Sequence, residues 1–131
     1  MTVSDDGNLV VLNGKNEVLW SSNVTNGVQN SSALLTDDGN LVLQDKTNGN
    51  TVWESFQQPS NVLARNMRLT AGERAGKNIV LRSWNSHSDP YIGSFSVGID
   101  DLEVPEAFVW NGSRPYWQSG PWNGRIFIGI P

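Results

Sequence analysis

The chain has 131 residues, 37% hydrophobic and 17% charged, with 13 glycines, no cysteine and a formal net charge of -4. This acidic, globular balance offers no Lys/Arg cluster to neutralise nucleic-acid phosphates or to hold an anionic membrane surface. Glycine is abundant and helix formers are thin between the turns, so the composition favours an all-β fold. A chain without disulfides suits a reducing compartment, and equally an extracellular domain with a sufficient core.

The first predicted element is a repeat. Val3-Ser4-Asp5-Asp6-Gly7-Asn8-Leu9-Val10-Val11-Leu12 returns as Leu35-Thr36-Asp37-Asp38-Gly39-Asn40-Leu41-Val42-Leu43-Gln44. Each copy runs on through an Asn/Gly-rich turn to a hydrophobic residue and a tryptophan, Leu19-Trp20 and Val52-Trp53. Such a period marks stacked copies of one supersecondary unit, each too small to bury its apolar face alone. The unit reads as a hairpin: Asp-Gly makes a turn, the apolar run a strand, and a second turn leads to a strand ending in Trp. Strand alternation puts Leu9 and Val11, and again Leu41 and Leu43, on the expected core face. Trp20 and Trp53 are the large residues expected to fill the space between repeats.

The opposite face carries Asp6, Asn8, Val10 and Leu12, and again Asp38, Asn40, Val42 and Gln44. This pattern resembles the monocot mannose-binding (bulb-type) lectins, whose motif runs Gln-x-Asp-x-Asn-x-Val-x-Tyr along one strand. The resemblance implies a β-prism of short antiparallel sheets. It also implies carbohydrate-binding roles for Asp6, Asn8 and Val10 and for Asp38, Asn40 and Val42. The Asp and Asn would bond sugar hydroxyls and the Val would pack on ring carbons. Period-two spacing brings all three to one face, as a sugar site requires. Both copies depart from the family at the ends. Ser4 and Thr36 stand where the family has Gln, and Leu12 and Gln44 where it has Tyr. Each lost polar partner costs about 1–3 kcal/mol. A second reading stands beside this one. Asp-Asp-Gly-Asn is also an ordinary turn, in which Gly7 and Gly39 take positive φ and the Asp and Asn bond their own backbone.

Beyond the repeats, Pro59 ends the pattern. Leu63 to Lys77 holds Arg65, Arg68, Arg74 and Lys77 and reads as a connector or edge strand with a solvated basic face. Ile79 to Trp84 resumes strand character. Phe95, Val97 and Ile99 then alternate with Ser94, Ser96 and Gly98 as a half-buried strand. Pro105 to Trp110 is a further strand, and Asn111-Gly112 a hairpin turn with Tyr116-Trp117 on the return. Ile126 to Ile130 reads as a last apolar strand. Trp110, Tyr116, Trp117 and Trp122 admit two readings, a sugar-stacking platform or the filling of a small β core.

A second resemblance covers this half. Trp53-Glu54-Ser55-Phe56 with Pro59 is similar to the motif closing the lectin domain of plant S-locus glycoproteins and S-domain receptor-like kinases. Arg82-Ser83-Trp84, Ser88-Asp89-Pro90 and the run from Pro105 to Gly124 resemble the start of their S-locus glycoprotein region, with Gln118 where many members have Arg. The implied organisation is the later part of a bulb-type lectin domain at 1–57, a linker with edge strands at 58–79, and the first part of a second, lectin-like S-locus glycoprotein domain at 80–131. Both ends look cut, so the expectation is a fragment of a longer extracellular chain, an ectodomain at the plasma membrane. In receptor members a kinase would follow outside this segment. Asn23-Val24-Thr25, Asn30-Ser31-Ser32 and Asn111-Gly112-Ser113 are N-glycosylation acceptors in such a chain.

No catalytic constellation is expected. His87 is the single histidine and sits in a turn without metal-ligand spacing. The acidic pairs Asp5-Asp6, Asp37-Asp38 and Asp100-Asp101 point to opposite faces of any strand they occupy. No phosphate loop, cofactor motif or membrane-spanning run is present. The expected function is extracellular recognition of a protein or peptide ligand, of pollen or self-recognition type, with homodimerisation among its modes. The alternative is active mannose-type glycan binding.

Overall fold

The structure is a computed structural model and describes residues 1–25, 28–72, 78–100 and 102–130. Arg74, Lys77 and Asp101, singled out above, lie outside the described residues. The fold is all-β. Its strands are β1 (Thr2–Val3), β2 (Leu9–Leu12), β3 (Val18–Ser21), β4 (Ser31–Leu35), β5 (Leu41–Asp45), β6 (Thr51–Glu54), β7 (Leu81–Ser86), β8 (Asp89–Asp100), β9 (Glu106–Asn111) and β10 (Arg114–Gln118), with one 3-10 turn at Ser55–Gln57. The chain divides into two compact units, Met1–Gln57 and Gln58 onward.

The first unit holds two three-stranded antiparallel sheets of the β-prism type, ordered β1-β2-β3 and β4-β5-β6. The sequence unit of a hairpin is thus one strand short. A strand precedes each Asp-Asp-Gly-Asn loop and pairs with the strand after it, Val3 with Leu9 and Leu35 with Leu41. Both loops close in the same way. The Ser4 N–H donates to Asn8 O (2.8 Å) and the Gly7 N–H to Ser4 O (2.9 Å). Thr36 and Gly39 repeat these bonds at 2.9 Å each. Gly7 and Gly39 sit at φ 82° and 83°, where a residue with a Cβ is strained.

The core face follows the alternation. Leu9 and Leu43 are 1% and 0% exposed. Val11 pairs with Trp20 and Leu43 with Trp53, so both tryptophans stand on that face. Their rings meet edge to face at 5.6 Å, which joins the two repeats as their size leads one to expect. The opposite face differs from expectation. Val10 and Val42 are also buried, at 5% and 6% exposure. Each lies on a middle strand with a neighbour directly opposite on both sides, Thr2 and Ser21 for Val10, and Leu34 and Glu54 for Val42.

The second unit is built on one antiparallel sheet, ordered β10-β9-β8-β7. Gly98 faces Val80 and Trp110 so closely that a Cβ would sit 2.6 Å from Val80 Cγ1. Phe108 is buried and stacks on Trp110 with centroids 5.3 Å apart. Three local expectations are corrected here. The hairpin loop is Gly112–Ser113, with Asn111 still in β9 and paired to Arg114. Gly112, at φ 58°, occupies the first loop position, where a type II′ turn needs glycine. The turn expected at Ser88-Asp89-Pro90 forms at His87–Ser88, and Asp89 already pairs with Ser86. Ile126 to Ile130 is not a strand. Its chain folds back through a single bridge, Trp122 to Phe127, with Gly124 and Gly129 at φ 94° and 85°. Gly129 interrupts the extended run that its apolar residues alone would form, and Gly124 turns the chain just before it.

Candidate functional site

The residues of the sugar-type motif are positioned by the two Asp-Asp-Gly-Asn loops and the strands that follow them. Each asparagine side chain turns into the fold. Asn8 is buried. Its Oδ1 accepts from the Val24 N–H at 2.7 Å and from the Ser22 hydroxyl at 2.9 Å. Its Nδ2 donates to Asp6 Oδ2 at 3.1 Å and to Val24 O at 3.5 Å. Ser22 Oγ in turn accepts from the Leu9 N–H at 3.1 Å. The second copy repeats the device. Asn40 Oδ1 accepts from the Ser55 hydroxyl at 3.0 Å and the Phe56 N–H at 3.1 Å, and Nδ2 donates to Glu54 Oε2 at 2.7 Å. Ser55 Oγ accepts from the Leu41 N–H at 2.9 Å. Asn and Ser therefore pin the end of the third strand of each sheet to the start of its middle strand. The serines were missed in the sequence, although Ser22 and Ser55 each follow a Trp by two residues and so mark the repeat.

The residues that replace the family's leading Gln also have work within the loops. The Ser4 hydroxyl donates to Asp6 Oδ1. Asp6 Oδ1 further accepts from the Asn8 N–H at 3.1 Å. These bonds hold the Asp6 carboxyl below the usual carboxylate range, the Ser4 hydroxyl most, then the Asn8 backbone N–H and its side-chain amide. Hydrogen bonds that serve the ionised form have this sign. In the second loop Thr36 Oγ1 itself accepts from the Asn40 N–H, at 3.1 Å. Asp6 and Asp38 are exposed. The motif is thus split: its carboxylates stay at the surface, while its amides and valines are taken up by the fold.

The aromatic residues of the second unit do not form one platform. Cross-strand pairing places Trp110 opposite Pro115, and Trp117 opposite Val109, on alternate faces of the sheet. Tyr116 contacts Phe95 and Trp122 contacts Phe127. A cavity of about 450 Å³ lies beside the last pair, lined by Leu63, Leu69, Ile99, Pro105, Trp122 and Phe127. Its lining is mostly apolar, and the Trp122 indole N–H is the single donor group among those six side chains. His87 is exposed in its turn. Among the described residues, no cluster of three His, Cys, Asp or Glu is close enough to hold a metal ion. Among them, too, no helix is long and apolar enough to cross a membrane.

Residues 1–85 match the family model of the D-mannose binding lectins. The chain belongs to that family. Its similarity to curated proteins runs over its whole length. It is 42% identical to a putative G-type lectin S-receptor-like serine/threonine-protein kinase of Arabidopsis thaliana. Two further G-type lectin S-receptor-like serine/threonine-protein kinases of that plant are 42% and 38% identical. The match covers all of this chain and 16% of each relative, so this lectin chain spans about a sixth of their length. The lectin domain is not a catalytic one, and the kinase that names these relatives lies elsewhere in them.

Proposed function

We propose that this lectin-family chain is an extracellular recognition segment of a plant receptor, and that it takes a protein or peptide ligand on a scaffold whose mannose sites have decayed. One observation carries the reading. In both copies the motif's asparagine is committed to the fold, and the valine meant for a sugar ring is buried. A sugar would have to compete with intramolecular bonds already made and could not reach the valines. The replaced motif ends, Ser4 with Leu12 and Thr36 with Gln44, support the same conclusion. Recognition of the pollen or self type fits such a scaffold, since variation in exposed side chains can then set the ligand without disturbing a sugar site.

Calorimetric titration with D-mannose and its methyl glycoside tests the proposal. No saturable heat is expected at millimolar sugar. Saturable binding competed by the methyl glycoside would overturn it and favour the mannose-lectin reading.

A further inference from the structure

We propose that Asn111 carries an N-linked glycan whose first N-acetylglucosamine packs on the exposed Phe95–Tyr116 ring pair. The inference rests on the extracellular reading above and adds to it a modification site with a structural role. Asn111-Gly112-Ser113 is an acceptor sequence. Asn111 is exposed at the end of β9, next to the two-residue loop, and its side chain makes no hydrogen bond among the described residues. The Gly112 N–H donates to Ser94 O at 2.7 Å, so the loop beside the acceptor is anchored to β8.

The pairing register decides what lies beside the acceptor. Asn111 stands directly opposite Phe95 on β8 and opposite Arg114 on β10. Residues so paired project from the same face with Cβ atoms about 4.5–5.5 Å apart, within one sugar ring of an Asn-linked residue. Phe95 is 37% exposed and Tyr116 is 70% exposed. Their rings meet edge to face, centroids 5.3 Å apart at 83°. That leaves an open π surface next to the acceptor nitrogen. N-acetylglucosamine has the complementary chemistry: one face of axial C–H bonds to lie on an aromatic ring, and hydroxyls that remain in water. The other two acceptors lack this setting. Asn23 has φ 50° and is followed by Val24, whose N–H is held by Asn8. Asn30 precedes the buried Ser31, and no aromatic is paired with either.

The modification is a glycosyl transfer from a lipid-diphosphate-linked oligosaccharide. Asn111 Nδ2 forms the bond to the anomeric carbon, the carbon–oxygen bond to the diphosphate breaks, the lipid diphosphate leaves and Nδ2 gives up one proton. The glycan then covers rings that the sheet leaves to solvent, and it keeps that face from packing on another chain.

The test uses the whole chain secreted from an N-glycosylating eukaryotic host. Peptide mapping before and after enzymatic deglycosylation is expected to find Asn111 occupied. After trimming to a single N-acetylglucosamine, the Ser113→Ala chain is expected to melt roughly 2–4 °C below the glycosylated chain. In a Tyr116→Ser background that difference is expected to disappear. The acetamide methyl of the retained sugar should also show an upfield ring-current shift in the wild-type chain that is lost with Tyr116→Ser, a readout independent of stability. A bare Asn111 beside occupied Asn23 or Asn30 would overturn the inference and leave the extracellular reading standing. An occupied Asn111 with an unshifted acetamide methyl would overturn the packing.

Discussion

Replacing Asn8 by alanine should destabilise the first unit by about 2–4 kcal/mol. The substitution strands the Val24 N–H and the hydroxyl of the buried Ser22, both of which Asn8 Oδ1 accepts from. An unpaired buried donor costs about 1–3 kcal/mol. The upper end of the sum is not reached, because Val24 is only half-buried and its N–H can take up water. Asn40→Ala removes the matching acceptor from Ser55 and Phe56. Both partners there are half-buried, so about 1–3 kcal/mol is expected. The two asparagines share no bonding partner, so the double variant should lose the sum to within about 0.5 kcal/mol. Urea unfolding followed by circular dichroism measures these differences. Asn8→Ala within about 0.5 kcal/mol of wild type would refute the staple, because no other account of a surface-neutral substitution fits a residue so placed.

Gly7 and Gly39 should respond differently to alanine despite their equal positions in the repeat. A Cβ on Gly39 meets open space, so only the positive φ is felt, about 1–2 kcal/mol. A Cβ on Gly7 would lie 2.1 Å from Val28 O, adding overpacking of about 1–3 kcal/mol; equal melting temperatures for the two variants would contradict the close approach. Stability should also fall in acid. The depressed Asp6 carboxyl and the Asp89 carboxyl, held down first by the Asn85 amide and then by the Tyr91 N–H, contribute stability that is fully present above the unfolded carboxylate value of about 3.9. That contribution is lost as pH falls through the lower folded values. Ser4→Ala weakens the largest cause at Asp6, so its melting temperature should drop less between pH 5 and pH 2 than the wild type's, and superimposable pH profiles would refute the assignment.

The repeat was the most legible part of the sequence, because its turn chemistry and its apolar period agree. Asp-Gly gave the loop, alternation gave Leu9 and Leu43 as core, and the Trp positions gave the contact between repeats. The strands β1 and β4 were illegible for a physical reason. Thr2-Val3 is too short to show a period, and in Ser31-Ser32-Ala33-Leu34-Leu35 the two buried or half-buried positions are serines while both leucines are exposed. The inward turn of Asn8 was equally hidden. Its partners Ser22 and Val24 lie 14 and 16 residues away, and a side chain's choice between a sugar hydroxyl and a distant backbone N–H leaves no local trace. The tail from Ile126 to Ile130 misled because four apolar residues around one glycine resemble a strand, while Gly129 at positive φ, and Gly124 at positive φ just before the run, decide otherwise.

The motif can persist without the sugar, because its central residues serve the fold. Asn8 and Asn40 close the sheets, and Val10 and Val42 fill them, so these positions would be kept whether or not mannose is bound. The positions that depart from the family are the ends, where Ser4 and Thr36 replace Gln and Leu12 and Gln44 replace Tyr. Restoring both ends of the second copy, Thr36→Gln with Gln44→Tyr, separates two explanations of the proposed loss of mannose binding. If missing contacts alone cause it, two restored hydrogen bonds at about 1 kcal/mol each should improve affinity roughly 30-fold. If the buried Val42 and the committed Asn40 cause it, the restored chain still gives no saturable heat with D-mannose. The second outcome is expected, because Asn40 continues to hold Ser55 and Phe56 whatever stands at 36 and 44. Mannose binding gained by the double variant, with the urea midpoint unchanged, would show that the asparagine can serve the sheet and the sugar together.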